Sequence, residues 1–213
     1  MQTTCVRPLA LLALAALAWV SACKPPPAAP GPEPAPVRPP AAVVAMDLGG
    51  QKVLVMPVQS AAGVGASREQ ITAEVVFALR EWDSRTTWVT PDQLRAALRR
   101  SPGYAPDPAA LPTDSWMHHG ERYVVAPLVT QLRRYTALMD ARLVLVLRDA
   151  RFLPVPDGSG GVVRLSAGVV DSRNGNVIWF GDADGETRPQ ADAAGLASAA
   201  AALAARMVVR SDR

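Results

Sequence analysis

The sequence predicts an α+β domain, a mostly antiparallel sheet of five to six strands in β-α-β-α-β-β-β-β-α order with its helices packed on one face. Three observations predict it. Two segments open with helix-start signals and continue with apolar residues at helical spacing; the second half of the chain then changes to a period of two; an alanine-rich helical stripe closes it. A run of sheet-forming segments with helices gathered on one side belongs to the α+β class.

The domain is expected over residues 49–210, and its elements follow in order. Gln51 to Val58, QKVLVMPV, is a short apolar run bounded by Gly49-Gly50 and by QSAAGVGAS, which reads as a buried strand. Ser67-Arg68-Glu69-Gln70 has the capping-box pattern, and Ile71, Val75, Ala78, Leu79 and Trp82 follow at helical spacing, which predicts a helix over 68–83. Thr86 to Val89 reads as a short strand. Thr90-Pro91-Asp92-Gln93 repeats the start signal with proline in the favoured first turn, and Leu94, Ala97 and Leu98 supply the inner face of a second helix. Ser101 to Pro112 holds four prolines and is expected to be a loop; Thr113 or Asp114 caps one short turn ending near Gly120.

After that turn, Tyr123 to Leu132, Arg142 to Arg151, Val162 to Asp171 and Val177 to Asp184 read as four successive strands. In the third, Val163, Leu165, Ala167 and Val169 lie on one side and Arg164, Ser166 and Gly168 on the other, so one side is buried and the other wet. Asn174-Gly175 is a hairpin signal of the kind in which both central residues adopt positive φ. Leu196, Ala200, Leu203 and Met207 form the stripe of a last helix near 189–209.

Residues before the domain have another texture. Arg7 and the apolar run Leu9 to Val20 have the layout of a secretory signal over 1–22. About twelve residues at 1.5 Å each span about 18 Å, short of the roughly 30 Å hydrocarbon core. Residues 23–48 are rich in proline and alanine, too poor in large apolar side chains to pack and pushed toward extended polyproline II. At about 3.1 Å per residue, residues 24–41 reach on the order of 55 Å. This segment is expected to be a tether.

Composition excludes several functions. The formal charge is +3, of which Arg7 lies in the expected signal; a nucleic-acid footprint needs a strongly basic, clustered surface, so no nucleic acid is expected as partner. The short basic pairs Arg99-Arg100 and Arg133-Arg134 read as hydrated faces. Both cysteines, Cys5 and Cys23, precede the domain, so no disulfide, zinc site or nucleophilic thiol is expected within it. Gly63-Val64-Gly65 sits where a nucleotide-binding turn would lie, but Arg68 stands where a dinucleotide fingerprint has Gly or Ala, and no Lys-Ser/Thr follows; no cofactor is expected.

His118 and His119 are the only histidines, and adjacent helical residues point about 100° apart, a poor metal clamp; with Asp114 and Glu121 they read as a polar helix end. Asp182, Asp184 and Glu186 would share one face if the last strand ran that far, yet they lack an EF-hand pattern and read as a solvated strand end. Trp82 and Trp179 fit core positions, while Trp116 is open between core and contact surface. No catalytic set, metal site or cofactor site emerges, and the protein is expected not to be an enzyme.

Two resemblances add to this reading. Val20-Ser21-Ala22-Cys23 resembles the lipobox of bacterial lipoproteins, which implies an acylated Cys23 as lipid attachment; the same residues also suit an ordinary signal peptidase. Lys24, in place of the Asp that commonly retains lipoproteins in the inner membrane, implies the outer membrane. Val169-Val170-Asp171, Gly175 and Val177-Ile178-Trp179, with WVTPDQLRAAL at 88–98, resemble the periplasmic α/β modules of penicillin-binding-protein activator lipoproteins, the curli-secretion lipoprotein and the amino-terminal domain of TolB. That resemblance implies protein binding in the cell envelope without chemistry, with a peptidoglycan synthase as the partner of the activator type. The alternative it implies is an oligomeric structural or secretion-associated lipoprotein, hence a homo-oligomer.

Overall fold

The computed structural model describes residues 44–113, Trp116, 122–156 and 158–211. The chain divides into two units, Met1–Pro40 and Ala41–Arg213, and every described residue belongs to the second. The expected signal, Cys23 and most of the tether lie outside the described residues.

Among the described residues ten elements follow in order: β1 (Lys52–Val55), β2 (Ser60–Ala62), α1 (Arg68–Trp82), β3 (Thr87–Val89), α2 (Pro91–Arg100), α3 (Leu128–Met139), β4 (Leu143–Pro154), β5 (Gly161–Asp171), β6 (Asn176–Asp184) and α4 (Ala193–Met207). Both helix-start signals form full capping boxes. Gln70 N–H donates to Ser67 Oγ (3.2 Å) while Ser67 N–H donates to Gln70 Oε1 (2.8 Å), and Thr90 and Gln93 exchange the same pair at 3.3 and 2.8 Å. These satisfy helix N–H groups that have no partner inside the helix.

The domain is α+β as expected, but its sheet is mixed. Strand order is β3-β1-β4-β5-β6, with β2 also on β4. β1 runs parallel to both β3 and β4, β2 runs parallel to β4, and only β4-β5-β6 form the antiparallel meander. The expectation of a mostly antiparallel sheet fails at residues 123–132. Leu128, Leu132, Tyr135 and Met139 follow a helical spacing, and the first three are fully buried on the inner side of α3. Only the short stretch around Tyr123 is extended, bridging Asn176 of β6. A helix between β3 and β4 turns that connection into a crossover, and a crossover makes the strands parallel.

The same change overturns the expectation of helices on one face. Right-handed crossovers that run in opposite directions across a sheet place their helices on opposite faces. The β1-to-β3 connection carries α1 to one face, and the β3-to-β4 connection, passing over β1, carries α2 and α3 to the other. β1 is therefore buried on both sides: Val53 and Val55 join the cluster under α1 and α4, while Leu54 and Met56 join the cluster under α2 and α3. Its continuous apolar run has this cause.

On the first face, Ile71, Val75 and Leu79 of α1 and the expected stripe Leu196, Ala200, Leu203 and Met207 of α4 cover Val163, Leu165, Ala167 and Val169 of β5. Ala199 and Ala204 are also fully buried, and their small side chains allow α4 to lie close to its neighbours. Met46 N–H donates to Met207 O (2.8 Å) and Leu48 is buried, so the chain packs on the end of α4 before entering β1.

The β5-β6 turn spans 172–175, longer than the two-residue type expected. Of its two signal residues only Gly175 has positive φ (+78°). A side chain there would also meet Val124 O at 2.7 Å, because Val124 N–H donates to Gly175 O across the turn. Arg133 of α3 donates to Ser172 O and Arg173 O, so one of the expected hydrated arginines instead fastens this turn to a helix.

Candidate functional site

The structure disperses most of the residues singled out by sequence. His118, His119, Asp114 and Glu121 lie outside the described residues. Gly63 and Gly65 both adopt positive φ in the connection before α1, around the buried Val64, and so form a shaped linker. β6 ends at Asp184, leaving Glu186 beyond the strand, where its N–H donates to Ser198 Oγ (2.9 Å). Asp184 is held by both arms of Arg164 at 2.6 and 2.7 Å, and those hydrogen bonds keep its carboxyl below the usual carboxylate range. Among the described residues no cluster of three His, Cys, Asp or Glu could hold a metal ion.

Trp116 resolves toward the core. It is 2% exposed and meets Phe180 edge-on, with ring centroids 5.7 Å apart and planes at 71°. Its ring lies on Gly168 so closely that a Cβ there would be 2.6 Å away. The side of β5 expected to be wet is thus covered at Gly168, and Ser166 is buried as well.

Beyond Trp116 this face of the sheet becomes charged. A bulge between Leu147 and Asp149 interrupts the β4-β5 ladder and inserts Arg148 as an extra residue. The Arg148 guanidinium sits 5.3 Å from the Phe180 ring centroid, and its Nε donates to Asp149 Oδ2 at 3.1 Å. Arg151 Nε lies 3.4 Å from the other oxygen of Asp149. These groups line a cavity of about 260 Å³ closed by Gln59, Ala109, Leu111 and Thr113. Gln59 braces that wall: its Oε1 accepts from Leu111 N–H (2.8 Å) and its Nε2 donates to Pro108 O (3.1 Å). The sequence alone does not single out Arg148, although a signal is visible in LVLVLRDARFL, where Arg148, Asp149 and Arg151 break an otherwise apolar run.

A second surface lies on the outer side of α1. Phe77 is 61% exposed. Phe77 borders three grooves: one of about 560 Å³ toward α2, with Pro57, Val76 and Pro91, one of about 590 Å³ toward the start of α4, with Val64 and Leu196, and one of about 280 Å³ with Trp82 and Ala197. Glu69, Glu74, Arg80 and Arg95 stand around them. The hydrogen bond to its own backbone N–H and that from Ser67 hold the Glu69 carboxyl below its usual value, as befits an acid in a first helical turn. Helical spacing selects the inner face of α1 and so does not pick out Phe77, the large apolar residue on the polar side of the α1 pattern.

No protein-family model matches the chain, and no curated protein matches it by sequence. Among solved structures it is similar to the LpoB C-terminal domain from Escherichia coli, at 16% identity over 66% of this chain and 85% of that one, with a TM-score of 0.41. It is also similar to the PelC dodecamer from Paraburkholderia phytofirmans, at 14% identity over 78% of this chain and 95% of that one, TM-score 0.41. A third is the lipoprotein GNA1162 from Neisseria meningitidis, at 17% identity over 67% of this chain and 85% of that one, TM-score 0.40. These are distant likenesses, and the partners and assemblies of those proteins are their own.

Proposed function

We propose that this chain is a non-catalytic adaptor of the bacterial cell envelope, anchored to the outer membrane through acylated Cys23 and held off it by residues 24–41, which docks a protein partner on the outer side of α1. The observation that supports it is Phe77, a large aromatic ring standing in solvent beside grooves on a helix packed against both the sheet and α4. Aromatic anchors of this kind dominate protein interfaces. The partner this surface suits presents an apolar side chain to the groove between α1 and α2, with a basic residue beside it for Glu69. A peptidoglycan synthase is the partner class proposed, taken from the resemblance of the sequence motifs.

The tether has a physical role in this reading. A membrane-held domain meets a partner across a gap only within the reach of its linker, and beyond that reach the effective concentration falls to nearly zero. A photo-crosslinking residue at position 77, compared with one at exposed Tyr104, tests the proposal in intact cells. The expected result is an adduct with one envelope protein from position 77 only, lost on Phe77→Asp and on deletion of residues 25–40. Binding by the purified deletion variant should persist. Equal adducts from both positions, or full cellular function after the deletion, count against it. Adducts of the chain with itself in a ring-sized particle would point to the oligomeric, secretion-associated alternative.

A further inference from the structure

We infer that the valley between α1 and α4 receives an amphipathic helix of the docked partner, about three turns long and basic on the side that meets α1. This rests on the docking reading above and specifies the structural class of partner that fills one side of Phe77.

The valley follows from how the two helices lie. Trp82 Nε1 at the end of α1 donates to Val208 O just past the end of α4 (2.8 Å), and the groove of about 590 Å³ joins their first turns, so the helices run side by side in the same direction. The groove of about 280 Å³ joins their later turns. Glu74 and Phe77 border both grooves, which makes them two halves of one depression. From Gln70 to Trp82 its α1 wall is about 18 Å long at about 1.5 Å per residue, a little over three turns. Ala73 and Ala78 on α1 and Ala193, Ala197 and Ala201 on α4 keep the walls low, and helices with small side chains at their contact approach most closely.

Backbone chemistry selects a helix as the occupant. The main-chain groups of α1 and α4 bond within their own helices, so an extended segment laid here would find no partners for its N–H and C=O groups on this wall. A helix arrives with its backbone already satisfied and presents apolar residues at i, i+3 or i+4, and i+7. A proline-rich segment is read by an aromatic-lined groove, and of the two rings here Trp82 is covered by the Arg210 guanidinium, 4.9 Å from its centroid. Phe77 alone stands free, as a ridge for the middle turn of the incoming helix. Charge sets its polar side. The charged residues lining the valley are Glu74, Glu81, Asp192 and Arg210. Asp192 is paired with Arg188 (3.2 Å), which leaves two carboxylates against one guanidinium. Both carboxylates belong to α1, so the basic residues of the partner helix face that side.

The test is an NMR titration of the full chain with three acetylated, amidated peptides. The first is two copies of the heptad Leu-Ala-Lys-Leu-Ala-Lys-Ala; the second has Glu in place of every Lys; the third has Pro in place of the central Ala, which breaks the helix. We expect saturable amide shifts at Ala73, Phe77, Ala197 and Ala201 with the first peptide, weaker binding of the second and none of the third. Phe77→Ala should weaken binding of the first about tenfold. Ala201→Gln, which raises the α4 wall at an exposed helical position, should weaken it as well, whereas Ala205→Gln, exposed on the same helix but outside the valley, should not. Absence of saturable shifts, equal binding of the acidic or proline peptide, or equal effects of the two glutamine variants would each overturn the assignment. A self-associated form lost on Ala201→Gln without any peptide would make a second copy the occupant and overturn it too. Failure of the peptides while position 77 still crosslinks an envelope protein would sink the helix and leave the docking surface standing; absence of that crosslink would sink the docking surface itself, whatever the peptides do.

Discussion

The two faces of this sheet are built on different terms. Under α1 and α4 the contact is apolar from Leu48 to Val208, with every inward residue of β5 from Val163 to Val169 covered. Under α2 and α3 the apolar contact reaches Val146 and Trp116, then gives way to Arg148, Asp149, Ser166 and Asp182. A closed apolar layer provides stability and leaves little room for recognition. A face that ends in charged and polar groups gives up some of that apolar burial.

The largest expected contrast comes from truncating one side chain of the closed face. Leu145→Ala removes a fully buried residue of the central strand, and should lower the unfolding free energy by about 2–5 kcal/mol in urea titration. A smaller effect is expected where the second face begins. Gly168→Ala places a methyl against the Trp116 ring and should cost about 1–3 kcal/mol through overpacking, with a changed near-UV circular dichroism signal from that tryptophan. An unperturbed aromatic signal would show that Trp116 does not seal this face.

Acid should distinguish the supports at the sheet ends from both faces. The Arg142 guanidinium hydrogen-bonds Asp171 and holds its carboxyl below the usual range despite burial. Burial alone would raise Asp83, but hydrogen bonds from Thr86 Oγ1 (2.5 Å) and Arg85 N–H (3.0 Å) outweigh it and hold this carboxyl low too. Both folded values are depressed, so the stability they add is complete above the unfolded value of about 3.9 and is lost as pH falls through the lower folded values. Asp171→Asn should flatten that acid slope in pH-resolved thermal melts; an identical slope would remove Asp171 from the account. The smallest effect belongs to the rim of the charged face. The Arg164–Asp184 pair is two-fifths exposed on each side, so Asp184→Asn should cost about 0.5 kcal/mol and less in high salt.

Much of this architecture was legible residue by residue. The capping boxes at Ser67 and Thr90 mark α1 and α2 within a residue, because a cap is a contact between positions three apart. The alternation in 161–171 and the stripe from Leu196 to Met207 identify β5 and α4 by period alone. The reading failed where two periods compete. In YVVAPLVTQLRRY the first residues alternate and the later ones repeat every three to four, and assigning the whole stretch to the first pattern cost both α3 and the strand directions. The candidate sites were less legible still: Phe77 stood out from its helix, but Arg148 acquires its meaning from Phe180 and from the wall at 109–113, far away in sequence.

What the sequence determined by itself is therefore local: where helices start, which faces are apolar, and that the domain follows a leader-like and a proline-rich segment of different composition. Only the tertiary structure decided that β1 lies between β3 and β4, that helices cover both sheet faces, and that a buried arginine faces a small cavity. The physical reason is range. Caps and periodicities are set by neighbours within one or two turns, whereas strand order, bulge placement and the burial of a charge are set by contacts between segments that meet only when the chain is folded.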